Sequence, residues 1–310
     1  MKYDKQLRDD FSVLYQARYC AQEDISIVVN KDGIIKLLEP PFSLKINTSI
    51  GSASLPKTNR DSKLVVSGSN LYLIGETWQN NSLVKFSKSS KSLNVLPLML
   101  DERSRFCVCS FMQKIIVLGG TKNKESVNSC LAYNLKNNEW SYIASMKKER
   151  EKMSCAIFKG KLVVTGGWGR RRFFGDVLKS VEAYCFCENK WTRFSDMLME
   201  RCSHETVSIG NKMFVIGTFH IGDFEVFDSI TNKFTFVKRN FHIKDIGHYS
   251  RQTSAITVGY KIYLIKAIYF KEKSVSSTFC YDVKEKSWTS EENCYAECFD
   301  YFSCAKIIKH

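Results

Sequence analysis

Arginine is the side chain best shaped to hold a carboxylate or a phosphate, because its planar fork presents paired N–H donors. Thirteen arginines occur in the chain, and several recur at similar intervals: Arg60, Arg103, Arg105, Arg150, Arg201 and Arg251. Three more stand together in Trp168-Gly-Arg-Arg-Arg-Phe-Phe-Gly-Asp, where Arg170, Arg171 and Arg172 are flanked by Trp168 and Phe173. A cluster of this kind can capture an anion while its aromatics anchor a partner or stack on bases. Other chemistries find little footing. The five histidines (His204, His220, His242, His248, His310) form no Tyr-His dipeptide, and the twelve cysteines form no CxxC and no zinc-spaced Cys/His set. Phosphate-loop, nucleophile-elbow and paired-carboxylate motifs do not stand out. The expectation is a binding protein rather than an enzyme, with no cofactor and no metal.

The elements that must carry these arginines repeat. A β-rich run recurs as Ile25-Ser-Ile-Val-Val, Leu71-Tyr-Leu-Ile-Gly, Ile115-Ile-Val-Leu-Gly, Leu162-Val-Val-Thr-Gly, Met213-Phe-Val-Ile-Gly and Ile262-Tyr-Leu-Ile-Lys, its fifth residues 46, 44, 47, 51 and 49 apart. We name this strand b. A strand of small and apolar residues, strand a, precedes it across a Gly-containing turn. After a variable loop come two large residues always seven apart: Phe86 and Leu93, Tyr133 and Trp140, Tyr184 and Trp191, Phe227 and Phe234, Tyr281 and Trp288. Polar turns separate them and mark strands c and d. Each unit is thus a four-stranded antiparallel meander, and packing several around an axis covers both faces of every sheet. Ile25 opens a strand b that lacks a strand a, while Ser303-Cys-Ala-Lys-Ile-Ile has the character of a strand a with no strand b after it. Joining the two closes a ring of six four-stranded blades over residues 22–310. Residues 1–21 place Leu7, Phe11, Leu14, Tyr15 and Arg18 at helical spacing, so a short N-terminal helical extension is expected there.

The motif Gly119-Gly120, Tyr133, Trp140 and its repeat Gly166-Gly167, Tyr184, Trp191 resemble kelch repeats, in which a double glycine ends strand b, a Tyr lies on strand c and a Trp opens strand d. Lys266-Ala267 departs from the glycines while Tyr281 and Trp288 keep the aromatics. The resemblance implies an all-β kelch propeller whose d–a and b–c loops form the partner face. It also implies a substrate-recognition role in a kelch-like adaptor of a cullin-RING ubiquitin ligase, with the BTB domain and most of the BACK domain missing from this sequence. An actin scaffold is the alternative that the same resemblance offers.

Ten of the thirteen arginines, Arg239 included, fall at that d–a/b–c face, whereas lysines gather in the a–b and c–d turns (Lys114, Lys161, Lys212 and Lys261; Lys136, Lys190 and Lys233). The expected partner is therefore an acidic or phosphorylated peptide segment, held by Arg60, Arg103, Arg105, Arg150, Trp168, Arg170, Arg171, Arg172, Phe173, Arg201 and Arg251. The competing expectation is that these arginines form rim salt bridges with neighbours such as Asp101, Glu102, Glu149, Glu151 and Glu200. The net charge of +14 alone would also suit nucleic acid, the least favoured reading. No apolar run reaches the length of a membrane span, so no membrane partner is expected, and the thiols and the absence of a leader-like N-terminus fit a cytoplasmic protein with reduced, buried cysteines.

Overall fold

The structure is a computed structural model. It describes residues 25–31, 34–38, 62–68, 70–75, 81–87, 92–171, 174–217, 224–237, 250–270, 273–291 and 303–308. Among these there is no helix, and the expected N-terminal helical extension, 1–21, lies outside them.

Five four-stranded antiparallel sheets follow one another along the chain in the order a–b–c–d. Sheet I comprises Lys63–Ser67, Asn70–Gly75, Ser82–Ser87 and Ser92–Leu96. Sheet II comprises Cys107–Phe111, Lys114–Leu118, Cys130–Asn134 and Glu139–Ile143. Sheet III comprises Ser154–Phe158, Lys161–Thr165, Val181–Cys185 and Lys190–Arg193. Sheet IV comprises Glu205–Ile209, Lys212–Ile216, Phe224–Asp228 and Lys233–Val237. Sheet V comprises Ser250–Val258, Lys261–Phe270, Lys273–Asp282 and Ser287–Glu291.

The expectation of six four-stranded blades is corrected. Among the described residues five blade sheets have four strands, two b–c hairpins form two-stranded sheets, and the closing sheet has three strands: Ile25–Lys31 between Ile34–Leu38 and Ser303–Ile308. Residues 39–61, where its fourth strand would fall, lie outside the described residues. Its register pairs Ile25 with Ile308 and Asn30 with Ser303, so the late strand completes the early sheet and covers its edge. Successive strands a touch one another in sequence order, and that of the closing sheet touches those of sheets V and I, which makes the arrangement a ring.

The seven-residue interval between large residues is a register. Phe86 faces Leu93, Tyr133 faces Trp140, Tyr184 faces Trp191, Phe227 faces Phe234 and Tyr281 faces Trp288 across each c–d hairpin. Strand b alternates between two cores: Ile115 and Val117 pack towards sheet I, Ile116 and Leu118 towards sheet III. All four residues are essentially inaccessible to solvent. Both faces of each inner strand are therefore covered by neighbouring sheets, which a lone meander could not achieve. The strand-d tryptophans add a tether, as Trp140 Nε1 donates to Pro97 O (2.9 Å) and Trp191 Nε1 to Ala144 O (2.7 Å), each acceptor lying in the connection that leads into the tryptophan's own sheet.

The glycines explain where strand b stops. Gly119 and Gly120 have φ of 51° and 96°, and Gly166 and Gly167 have 53° and 99°, a conformation that side chains disfavour. A Cβ on Gly119 would stand 2.5 Å from Arg150 O, and one on Gly166 would collide with Arg201 O. The glycines thus turn the chain and let the next d–a connection lie against it. Sheet V has Lys266 and Ala267 instead, and there strand b runs straight on to Phe270, paired with Lys273–Asp282 as a ribbon of ten residues a side.

Candidate functional site

Three of the expected partner-binding arginines point inward, which corrects their assignment. Arg103, Arg150 and Arg201 are buried, with relative exposures of 4, 0 and 4%. Each stands in a d–a connection and reaches the glycine that ends the following strand b, sixteen residues on. Arg103 Nη1 donates to Gly119 O (3.1 Å), Arg150 Nη1 to Gly166 O (2.7 Å) and Arg201 Nη1 to Gly217 O (2.8 Å). Arg103 and Arg150 also reach the chain entering strand c, at Ser129 O (2.9 Å) and Ser180 O (2.8 Å). The guanidinium fork thus satisfies the carbonyl at the exit from strand b and gives a second donor to Ser129 O and Ser180 O, which also accept from Gly119 N and Gly166 N (3.1 Å each).

A carboxylate neutralises each fork. Arg150 Nη2 lies 2.8 Å from Glu182 Oε1, and Arg201 Nε lies 3.1 Å from Glu225 Oε1. Both glutamates are the second residue of a strand c, and both also cap the d–a connection. Glu182 accepts from Lys147 N (2.6 Å) and Lys148 N (3.1 Å), and Glu225 from Leu198 N (2.5 Å) and Met199 N (3.0 Å). Sheet II has Leu131 at this position, and Asp101 supplies the carboxylate from the d–a connection itself, 2.6 Å from Arg103. Burial alone would raise the Asp101 carboxyl, but Arg103 and Lys122 hold it below its ordinary value. Desolvation lowers the Arg150 guanidinium, which Glu182 opposes. The pairing is thus with residues of strand c in two of three cases, rather than with the rim acids Glu149 and Glu200. Glu182 and Glu225 were missed in the sequence, although a charged residue inside the apolar runs Val181-Glu-Ala-Tyr and Phe224-Glu-Val-Phe was a visible cue.

Arg105 and Trp168 do face outward. The Arg105 side chain is 44% exposed and donates to Glu151 Oε1 at 3.1 Å. Glu151 is buried, also accepts from Thr121 Oγ1, and exchanges backbone hydrogen bonds with Trp168 (2.9 and 2.7 Å). Trp168 opens a b–c hairpin, Trp168–Arg171 with Phe174–Val177. Its ring lies across Gly175, where a Cβ would collide with it, yet 37% of the residue stays exposed. Lys152 Nζ stands 5.9 Å from the ring centroid. The b–c hairpin of sheet II, Thr121–Lys122 with Glu125–Ser126, touches this one, and Lys122 lies 3.3 Å from Asp101. The backbones of Arg170 and Arg171 belong to the Trp168 hairpin, and Arg251 lies within a strand a rather than in a loop. Arg60, Arg172 and Phe173, with Arg239, lie outside the described residues.

The cysteines divide by environment. Cys130 and Cys280 are buried, while Cys187 is exposed, which corrects the expectation of uniformly buried thiols. Cys107 and Cys155, on neighbouring strands a, have sulfurs 3.0 Å apart. The contact with Cys155 and burial raise the Cys107 thiol; the contact with Cys107 lowers Cys155, but Cys109 and burial outweigh it and raise that thiol as well, and burial pushes Cys130 up to about 12. These thiols are poor nucleophiles.

Comparison with known proteins agrees with the geometry. The model of the KLHDC2/KLHL20/DRC7 Kelch-repeats domain matches residues 60–265. Kelch-like protein 41b of Danio rerio is 35% identical over 144 residues, which is 46% of this chain and 22% of that protein. Kelch-like protein 40 of Xenopus tropicalis is 32% identical over 113 residues, 36% of this chain and 18% of that protein. Beta-scruin of Limulus polyphemus is 30% identical over 111 residues, 33% of this chain and 12% of that protein. The matched part therefore spans about a fifth or less of the length of these relatives.

Proposed function

Because the chain belongs to the KLHDC2/KLHL20/DRC7 kelch-repeat family, we propose that this protein-binding propeller holds an acidic or phosphorylated peptide on its d–a/b–c face, as the substrate-recognition module of a kelch-like adaptor for a cullin-RING ubiquitin ligase. The observation that carries this reading is the pairing of a half-exposed Trp168 with cations around the sheet II and sheet III hairpins. Lys152 Nζ stands over its ring, Arg105 pairs with Glu151 whose backbone bonds to Trp168, Lys122 of the adjoining hairpin pairs with Asp101, and Arg170 and Arg171 share its strand. An exposed aromatic with a cation over its ring, in a cation-rich part of the chain, is the composition of a binding hot spot for an anionic segment. The module works by binding, and no catalytic step is assigned to it. The buried arginines contribute by fixing the loops that present the hot spot.

Fluorescence anisotropy with acidic, phosphorylated and charge-neutral peptide sets tests this. Trp168→Ala and Arg105→Glu should each weaken binding of the tightest acidic peptide at least tenfold, and added salt should weaken it further. Equal binding of neutral peptides, or indifference to both substitutions, overturns the reading. Co-sedimentation with filamentous actin tests the alternative of a cytoskeletal scaffold.

A further inference from the structure

The c–d turns of sheets II, IV and V share a device that sheet III builds with a different residue. The last residue of strand c is Asn134, Asp228 or Asp282, and its side-chain oxygen accepts the N–H two residues on. The partners are Lys136 N (2.9 Å), Ile230 N (2.8 Å) and Lys284 N (2.9 Å). Such a local bond pins the turn and removes an unpaired N–H. In sheet III the corresponding residue is Cys185, and the N–H two residues on belongs to Cys187. The turn itself keeps its shape. Asn189 has φ of 48°, as Asn138 has 58° and Asn232 has 56°, and Tyr184 Oη donates to Asn189 Oδ1 just as Tyr133 Oη donates to Asn138 Oδ1. The fold therefore does not demand a thiol here, and a better turn residue has been given up for one.

The replacement brings donors together. Cys185 Sγ lies 2.8 Å from Cys187 Sγ, and a Glu188 carboxylate oxygen lies within 4.8 Å of both sulfurs. The N–H groups of Cys187 and Glu188 face the Cys185 sulfur, as those of Lys284 and Glu285 face Asp282. The turn N–H groups that receive a carboxylate oxygen at Asp282 are equally placed to receive a sulfur ligand here. We propose that Cys185, Cys187 and Glu188 form a surface site for a zinc-class ion on the face opposite the peptide-binding loops, with its fourth position open to water or to a ligand from another molecule.

The geometry suits that ion. Two thiolates at about 2.3 Å from a tetrahedral zinc are roughly 3.8 Å apart, so the sulfurs must separate by about one ångström. Cys187 is exposed and can turn outward without displacing packed atoms. Two soft sulfurs and one carboxylate favour zinc over magnesium or calcium, which take oxygen alone. Binding replaces two S–H protons, released to solvent, with two metal–sulfur bonds. The other close thiol pair, Cys107 and Cys155, sits on the strands a and is desolvated, so it serves as the control.

Cobalt(II) is the probe, because its visible spectrum reports tetrahedral thiolate ligation. The reduced full-length chain should bind one equivalent of Co2+ with such a spectrum, and Zn2+ should displace it. Cys187→Ser should abolish the spectrum, Glu188→Gln should weaken Co2+ binding at least tenfold, and Cys155→Ser should leave both unchanged. Cys187→Ser and Glu188→Gln should melt as the parent does, both residues being exposed. No tetrahedral spectrum in the reduced chain, or a spectrum that survives Cys187→Ser, overturns the proposal. Because the peptide face is not involved, failure here leaves peptide binding intact, and the reverse also holds.

Discussion

Replacing Arg150 by alanine separates a structural arginine from a partner-binding one. The guanidinium is wholly buried, with Glu182 beside it at 4% side-chain exposure. It donates to Gly166 O at 2.7 Å, Ser180 O at 2.8 Å, Ser180 Oγ at 3.0 Å and Glu182 at 2.8 Å. Alanine would leave the buried Glu182 carboxylate without its counter-charge and remove the guanidinium donor from Gly166 O, while Ser180 O keeps Gly166 N. Removing one partner of a buried ion pair costs about 3–5 kcal/mol, against a total stability of about 5–15 kcal/mol. For a chain of 310 residues, with an unfolding entropy of roughly 0.65 kcal/mol/K, that is a fall in Tm of roughly 5–8 °C, measurable by circular dichroism. Arg105→Ala breaks a pair whose arginine is 44% exposed, and should cost about 1 kcal/mol or less. Replacing both Arg150 and Glu182 by apolar residues of similar volume should recover part of the loss, since neither charge is then left alone. If Arg150→Ala melted within about 2 °C of the parent while peptide binding collapsed, the arginine would be acting at the surface and the reasoning would be wrong.

Two further predictions concern pH and closure. Burial pushes the Glu205 carboxyl up to about 7, Lys63 opposing, so its contribution to stability is full below about 4.5 and is lost as pH rises through 7. Urea midpoints of Glu205→Gln should lack that decline. His204 runs the other way: desolvation, then Arg201 and Arg150, push its ring down to about 3. The unfolded chain takes up a proton below about 6.5 that the folded one refuses, so stability falls between 6.5 and 3, and His204→Gln should flatten that limb. Deleting residues 303–308 removes the strand paired with Ile25–Asn30. The shortened chain should lose cooperativity in urea and self-associate in light scattering, through the exposed strand edge. A monomer with an unchanged transition would mean that the closing strand is dispensable.

The parts of this architecture that were legible in the sequence are those set by strand register. The interval from Tyr133 to Trp140 is the length of one hairpin, and the two residues do face each other. The pairing of Ile25 with Ile308 was likewise readable from two strands that each lacked a partner. The arginines were misread because arginine is a surface residue by habit, and its burial depends on two carbonyls that meet only once strands b and c are in place. The constant sixteen-residue step from Arg103 to Gly119, Arg150 to Gly166 and Arg201 to Gly217 carried that information. The length of the ribbon in sheet V was readable in part, since Lys266 and Ala267 announced a missing turn without saying how far the strand would run. The thiol cluster escaped a search for zinc spacing because its ligands come from one turn, and only the other sheets show what that turn ordinarily contains.

The strand that closes the ring also sets a timetable. Ile25 and its partner Ile308 are 283 residues apart in the chain. At about 5–20 residues per second, a ribosome makes the second roughly 15–60 s after the first. For that interval the early sheet waits with one edge unpaired, while sheets I to V emerge and can stack on one another in order. Closure therefore waits on the late strand, and the nascent chain most needs a chaperone until that strand arrives.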